Sequence, residues 1–283
     1  MQINILSKCI CCFSKNLKSC PAVLMPFISD RIFNWKPALI RKNWNLKTIK
    51  KGMAYSLVNT LGCNNCGAMF LDIRFNKTQM NKLYDGYRNK EYIDLRDKYE
   101  PGYKKKNKII KKQVIYFRDK ENFLKKNIKE KKIKNFKILD YGGNDGLNTP
   151  FKKYKKVSIF ELNKKFSNYK KKGGNFDLIV CTHVLEHEPY PTKLINKIKK
   201  NFMKKNSYLY LEIPIEKIVY DSQPKRPNIF KKKHWHEHIN FFTEESLVAM
   251  FKKTRLTLID KVVSNKYANG SFPAFWQILL KKN

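Results

Sequence analysis

The sequence predicts an α/β fold with an open, mostly parallel sheet, and three observations carry that expectation. Lys137-Ile-Leu-Asp-Tyr-Gly-Gly-Asn-Asp-Gly146 reads as a short apolar strand running into a glycine-rich turn, with an acid at the junction. Phe160-Glu161 ends a second apolar run, twenty-one positions after Asp140. Phe176-Asp-Leu-Ile-Val-Cys-Thr-His-Val-Leu-Glu-His187 is a third such run with a polar, ionisable exit. Strand, glycine turn, strand, acid and strand is the order of a nucleotide-type cofactor site in such a sheet.

Each region can be justified in turn. Residues 1–75 hold six of the seven cysteines. Residues 76–134 read as helical. Asn76 is placed to cap a helix whose Met80, Leu83, Tyr84 and Tyr87 share one face. Pro101-Gly102 breaks the segment. Beyond it, Ile110, Val114, Phe117, Leu124 and Ile128 keep a helical period between lysines, which predicts a long helix against the edge of the next domain. Residues 135–283 alternate strands and helices, with strands expected at 137–141, 156–161, 177–182, 207–213, 256–263 and 274–281. Pro191 opens a helix that buries Leu194, Ile195, Ile198 and Phe202. Thr243 caps another, with Glu244 and Glu245 in the first turn, where carboxylates suit the helix dipole. This alternation predicts helices covering a mainly parallel sheet, with the last two strands as an antiparallel edge.

Composition bounds the partners. At 283 residues the chain can bury a substantial core. Lys and Arg number 60 against 23 Asp and Glu, a formal charge of +37. The lysines fall in every segment, and aromatic residues do not interleave with them as in single-strand binding. Scattered solvated lysine is thus the first reading; the functional one is a basic face for nucleic acid, anionic lipid or a phosphate-bearing substrate. The N-terminus carries cysteines and lysines where a secretory signal has its apolar stretch, and no run reaches the roughly 18 apolar residues of a membrane span. A reducing cytoplasm is the expected compartment, and cysteines there read as metal ligands or buried thiols.

Cys9-x-x-Cys12 and Cys63-x-x-Cys66 are two pairs at knuckle spacing. Each pair can present two thiolates to one metal through a tight turn, and two turns close a tetrahedral site that suits structural zinc. Gly67 supplies relaxed backbone after the second pair. The fifty residues between Cys12 and Cys63 imply an inserted loop around Trp35 and Trp44, or a larger subdomain. Cys11 competes with Cys12 as a ligand.

The turn Asp140-Tyr-Gly142-Gly143-Asn144-Asp-Gly146 is a variant of Asp-x-Gly-x-Gly-x-Gly. Its glycines let backbone approach a ligand, and the acid can hold the amino end of an amino-acid-like cofactor. Glu161 is placed to accept from both ribose hydroxyls. On these residues the chain resembles class I S-adenosylmethionine-dependent methyltransferases, which implies a Rossmann-like domain over 135–283, preceded by a small zinc-ribbon-like region (1–75) and a helical segment (76–134). Phe176-Asp-Leu-Ile-Val with Leu185-Glu-His187 resembles the fourth-strand motif of the methyltransferase group that also contains ubiquinone-pathway and sugar enzymes. The two cysteine pairs, Cys66-Gly-Ala-Met-Phe-Leu-Asp-Ile-Arg74 and Glu237-His238-Ile-Asn240-Phe-Phe-Thr243 are similar to stretches of sugar C-methyltransferases and their surface-polysaccharide relatives.

The departures shape the expectation. Asn144 replaces the middle glycine, and Asn tolerates positive φ better than most residues. Only fifteen residues separate Glu161 from Asp177, so the usual third strand and its adenine-contacting acid scarcely fit. The further C-terminal domain of the sugar enzymes has no counterpart, so oxygen is as good an acceptor as carbon.

All five histidines, His183, His187, His234, His236 and His238, fall between the fourth strand and the late loop, near where ligands bind in such a sheet. Methyl transfer needs a positioned acceptor and a base. His187 and then His238 are the base candidates, with Glu186 or Glu237 orienting them, and His183 joins the cofactor-binding set. His234-x-His-x-His238 is a further metal candidate if strand alternation aims all three one way. The expected function is methylation of a sugar, nucleotide sugar or cell-surface glycan, with peripheral membrane contact as a corollary. The alternatives are an RNA methyltransferase, nucleic acid being the less favoured partner, and a non-catalytic zinc-binding scaffold.

Overall fold

The structure, a computed structural model, describes residues 4–41, 52–112, 117–143, 146, 149–152, 157–161, 167–171, 173–223, 225–265 and 274–283. Trp44, Val114 and Asn144, singled out by the sequence, lie outside them. The N-terminal part runs β1 (Asn4–Ile5), β2 (Leu17–Leu24), α1 (Pro26–Phe33), β3 (Ala38–Leu39), β4 (Met53–Ala54), β5 (Ser56–Cys63), β6 (Met69–Leu71) and β7 (Ile73–Arg74). A helical stretch follows: α2 (Lys77–Tyr84), α3 (Lys90–Tyr99), α4 (Tyr103–Lys112), α5 (Phe117–Asn127) and α6 (Glu130–Ile133). The remainder is β8 (Ile138–Tyr141), β9 (Ser158–Phe160), β10 (Phe176–Thr182), α7 (Pro191–Asn201), β11 (Met203–Ile215), α8 (Lys217–Tyr220), β12 (His234–Trp235), β13 (Asn240–Phe241), α9 (Glu244–Thr254), β14 (Thr257–Ser264) and β15 (Ala274–Lys281).

The expected α/β architecture is present as a six-stranded mixed sheet in the order β14-β15-β11-β10-β8-β9. The pairs β9/β8, β8/β10 and β10/β11 are parallel, while β15 runs antiparallel to both β11 and β14. Alternation along the strands divides the core. Ile179, Cys181, Leu209 and Leu211 face one cluster, and Leu178, Val180 and Tyr210 face the other. The second cluster is closed by Phe123, Leu124 and Ile128 of the α5 region, so α5 covers a face of the sheet rather than its edge.

Local signals place the helices. Asn76 caps α2 in a reciprocal pair with Gln79, as Thr243 caps α9 with Ser246. Pro191 opens α7, which buries Leu194, Ile195 and Ile198. Pro101 and Gly102 separate α3 from α4.

The segment between the cysteine pairs is a subdomain rather than a loop. β2 and β5 pair antiparallel from Leu17↔Cys63 to Leu24↔Ser56, within a five-stranded sheet ordered β12-β2-β5-β6-β13. Two of its strands, β12 and β13, come from the late loop. Buried residues of this sheet, among them Leu24, Phe70 and Trp235, share one core cluster with Leu211 of the large sheet and with Ile195 of α7 and Phe251 of α9. The N-terminal region is therefore welded to the α/β part and is finished by it.

Candidate active site

β8 has β9 on one side and β10 on the other, so the chain leaves it in opposite directions on successive crossovers. The crevice at the carboxyl ends of such strands is where open α/β sheets bind ligands. Asp140 is the penultimate residue of β8, Glu161 directly follows β9, and His183 directly follows β10. The three acids and bases chosen from sequence thus stand together at the carboxyl ends of adjacent parallel strands.

The turn after Asp140 is shaped by what its glycines leave out. Gly142 has φ +80°, and a Cβ there would come 2.6 Å from the Val184 side chain. Gly146 has φ +71°, with Ile159 at 2.6 Å from the corresponding position. A Cβ on Gly143 would collide with the Asp140 carboxylate itself, which lies folded beneath the turn. The Gly142 N–H donates to the Phe160 carbonyl at 2.8 Å and ties the turn to β9.

Asp140 is 3% exposed. Its Oδ2 accepts from the Thr149 hydroxyl, and its Oδ1 is buried with no hydrogen-bond partner among the described residues. Burial pushes its carboxyl up to about 6, against the pull of the Thr149 hydrogen bond and the Lys120 charge. The Lys120 ammonium is itself buried, 3.1 Å from Glu212 of β11. Neither Lys120 nor Glu212 is marked by sequence: one is hidden among many lysines, the other inside a strand. Beyond Glu161, the Tyr169 N–H donates to the Ile159 carbonyl at 3.0 Å, so a short segment follows β9 with no strand beyond it among the described residues.

The second cluster is built by two interlocked loops. The N–H groups of Ile239 and Asn240 both donate to the Glu186 carbonyl, at 2.8 and 3.1 Å. The Asn240 amide donates to the carbonyls of Leu185 and Glu188 and accepts from Arg74 at 2.7 Å. This braid brings Glu186, His187 and His238 together, with one ligand atom of each within 4.8 Å of the others. The His187 and His238 rings meet edge to face, centroids 4.5 Å apart.

Nδ1 of His187 lies 3.0 Å from the Glu237 carbonyl and 2.9 Å from the Tyr84 hydroxyl. A carbonyl only accepts, so Nδ1 carries the proton and Nε2 presents a lone pair. Burial and the neighbouring His238 hold His187 down at about 4, so it is neutral at pH 7. His238 behaves oppositely. Burial opposes its charge, but the Glu216 carboxylate 2.5 Å from Nδ1 pushes it up to about 9. Glu186 is 1% exposed; burial raises it, yet the surrounding imidazoles hold it at about 2.

Glu237 faces away from this group. Arg96 donates to both its oxygens, at 2.7 and 2.9 Å. His183 has φ +54°, donates its N–H to the Glu212 carbonyl, and places Nδ1 3.4 Å from Glu186. The His-x-His-x-His stretch does not converge. β12 ends at Trp235, so alternation stops before His238, and His236 turns instead toward Glu100 at 3.4 Å. Sequence reading missed Arg96 and Glu216, for which no local pattern gives a signal.

Cys9, Cys12, Cys63 and Cys66 form the other ligand-sized group, their sulfurs within 4.8 Å of one another. Each pair is followed by a residue of positive φ, Phe13 at +64° and Gly67 at +75°, which turns the chain back. The buried Cys11 stays outside the group, its N–H directed to the Cys9 sulfur at 3.4 Å. Both turns are docked on the α/β part: the Thr192 hydroxyl donates to the Ile10 carbonyl at 2.6 Å, and that of Thr243 to the Cys66 carbonyl at 2.9 Å. No helix among the described residues is long and apolar enough to cross a membrane.

No curated protein matches the sequence. Solved structures to which the chain is similar include a SAM-dependent methyltransferase from Methanosarcina mazei, at 16% identity and TM-score 0.39, covering 56% of this chain and 96% of that one. The Burkholderia thailandensis 1,6-didemethyltoxoflavin-N1-methyltransferase is similar at 13% identity and TM-score 0.45, covering 68% and 89%. A S-adenosylmethionine-dependent methyltransferase from Clostridium acetobutylicum is similar at 16% identity and TM-score 0.43, covering 65% and 99%. The sequence also matches the family described as "Methyltransferase domain" over residues 84–261, more than half of the chain. The chain therefore belongs to the methyltransferase-domain family.

Proposed function

We propose that the Asp140 turn and Glu161 hold S-adenosylmethionine, and that the acceptor is a sugar, nucleotide sugar or cell-surface glycan, methylated on oxygen or carbon. The observation that carries this reading is the cradle under the turn: a Cβ-free Gly143 against a buried Asp140 whose Oδ1 has no partner among the described residues. That oxygen suits the ammonium of an amino-acid moiety, and the Glu161 carboxylate at the end of the neighbouring strand suits a ribose diol. Gly142, Gly143 and Gly146, with Asn144 between them in sequence, form the wall against which the cofactor lies, and His183 closes the crevice from the β10 side. When bound, S-adenosylmethionine supplies an electrophilic methyl group on a sulfonium sulfur.

Glu186, His187 and His238 form the acceptor end. An acceptor oxygen becomes strongly acidic as it gains a methyl group, so even a weak base takes its proton. With side chains alone, neutral His187 serves through Nε2. Tyr84 and the Glu237 carbonyl fix its ring, and His238, held charged by Glu216, offers a positive hydrogen-bond donor to an anionic acceptor. Zinc on Cys9, Cys12, Cys63 and Cys66 is structural in this reading, because four thiolates leave no open coordination position. The excess of lysine suits a phosphate-bearing acceptor or a lipid-linked glycan at a membrane surface in the cytoplasm.

The test is transfer of a radiolabelled methyl group to a panel of nucleotide sugars and envelope glycans, with RNA as the competing acceptor. Label in a glycan is expected. Label in RNA alone, with submicromolar RNA binding that salt abolishes, would replace the acceptor assignment.

A further inference from the structure

The acceptor end carries a buried carboxylate that neighbouring imidazoles stabilise without a close hydrogen bond among the described residues. Glu186 is 1% exposed, yet neither carboxylate oxygen has a hydrogen-bond partner among the described residues. The nearest imidazole nitrogens stand off, His183 Nδ1 at 3.4 Å and His187 Nε2 at 3.9 Å. An ionised carboxylate removed from water without close partners costs several kcal/mol.

The two imidazoles around this carboxylate are fixed in the manner of metal ligands. Metal-binding histidines give their other ring N–H to a backbone carbonyl or a carboxylate, which sets the tautomer and the ring direction. His187 gives its Nδ1–H to the Glu237 carbonyl at 3.0 Å, and His238 directs Nδ1 at the Glu216 carboxylate at 2.5 Å. In both rings Nε2 is the nitrogen a metal would take, and at His238 binding would release the Nε2 proton. Further supports hold the rings: the Tyr84 hydroxyl shares the His187 Nδ1 site at 2.9 Å, and Asn240 locks the two loops together. Ligand atoms of Glu186, His187 and His238 all fall within 4.8 Å of one another.

We propose that Glu186, His187 and His238 bind a divalent first-row transition-metal ion, separate from the cysteine site. Two imidazoles and one carboxylate form the open ligand set of catalytic zinc and related ions, with positions left for water or substrate oxygen. The metal assignment stands on these contacts alone. What the ion does rests on the acceptor reading above: bound to adjacent acceptor oxygens, it lowers the acceptor's proton affinity and takes over the task of the bare His187 ring. A vicinal diol or a hydroxyl beside a carboxylate is the acceptor class that chelates such an ion.

Cobalt(II) added to the full-length, zinc-loaded protein tests this. The wild type is expected to take up an equivalent of Co2+ whose visible absorption lacks the thiolate-to-metal charge-transfer band of a cysteine site. Glu186→Gln and His187→Ala should each weaken that uptake on the order of 100-fold, and Glu216→Gln about tenfold. Circular dichroism shows whether each variant is folded, and the wild-type titration decides even if none is. Wild-type Co2+ appearing only with the thiolate band overturns the proposal, as does undiminished uptake by folded Glu186→Gln and His187→Ala. S-adenosylhomocysteine calorimetry on the same samples separates the two readings. Nucleoside binding without Co2+ uptake sinks the metal site alone, and Co2+ uptake without nucleoside binding sinks the cofactor assignment alone.

Discussion

Arg96 and Glu237 face each other through two parallel hydrogen bonds of 2.7 and 2.9 Å, joining α3 to the late loop 141 positions away. Both side chains are largely buried, and the same guanidinium reaches Glu100 through Nε at 3.0 Å and lies over the Tyr103 ring. Planar, two-point pairing of this kind fixes orientation as well as distance. The Glu237 carbonyl accepts the His187 Nδ1–H hydrogen bond, so the ion pair sets the position of the ring at the acceptor end.

Arg96→Ala should therefore cost about 3–5 kcal/mol, the usual effect of leaving one half of a buried pair uncompensated. Burial works against Glu237, but Arg96 holds its carboxyl down at about 2. A depressed carboxyl contributes stability that is complete above its unfolded value of about 4.3 and is lost as pH falls through the folded one. The variant should lose that acid-side slope. Urea midpoints at pH 7 and pH 3 measure both effects, and an unchanged midpoint at pH 7 would show that the pair does not clamp the loop.

Asp140 has the opposite sign. Its folded value, about 6, lies above the unfolded one of about 3.9, so between them the folded chain binds more protons and stability falls as pH rises. The full effect is roughly 3 kcal/mol. Asp140→Asn should flatten this part of the stability profile. It should also weaken S-adenosylhomocysteine binding at pH 7, because the ammonium loses its carboxylate, while wild-type affinity climbs from pH 5 to pH 7. Calorimetry across that range checks the pairing; a variant that keeps wild-type affinity and slope removes Asp140 from the site.

What the sequence revealed and what it hid divide along one physical line. Capping, turn and strand signals are local, so Asn76, Thr243, Pro191 and the Asp140 turn could be read directly, and the structure places each at the expected junction. The two cysteine turns were legible because the spacing within each is short. Partners remote in sequence were not. Glu216 meets His238 through a fold contact, Arg96 of α3 meets Glu237 of the late loop, and Lys120 meets Glu212 in the interior. The same limit explains the His234 to His238 stretch. A strand of two residues leaves too little alternation to aim three rings together, and only the tertiary braid through Asn240 selects which histidine joins Glu186.

Metal analysis should find about one thiolate-held zinc per chain, lost from a Cys63→Ser, Cys66→Ser variant. The effect should reach beyond the knuckles, because the Thr192 and Thr243 hydroxyls hold the turn carbonyls of Ile10 and Cys66 at the starts of α7 and α9. Hydrogen exchange should then rise in β5, β6 and the first turns of both helices. Protection confined to its wild-type pattern in the metal-free variant would mean the ion is not structural.

Gly143→Ala separates the shape of the cofactor cradle from its charge. The added methyl group would run into the Asp140 carboxylate, which is held by Thr149 and walled by buried neighbours, so carboxylate or turn must move. Gly143 is not in the positive-φ set, so alanine imposes no backbone penalty of its own and the change acts through that collision. The turn is at the surface end of β8, and the large-sheet core on either side is untouched, so the fold should survive with about 1–3 kcal/mol lost. Nucleoside affinity should fall by roughly tenfold or more, since displacement of the carboxylate by even a fraction of an ångström spoils a charge-assisted hydrogen bond worth about 1.5–3 kcal/mol. Pairing the substitution with Asp140→Asn decides the mechanism. If the methyl group acts by displacing that carboxylate, the two losses overlap and the double variant binds little worse than either single one; losses that simply add would place the collision elsewhere.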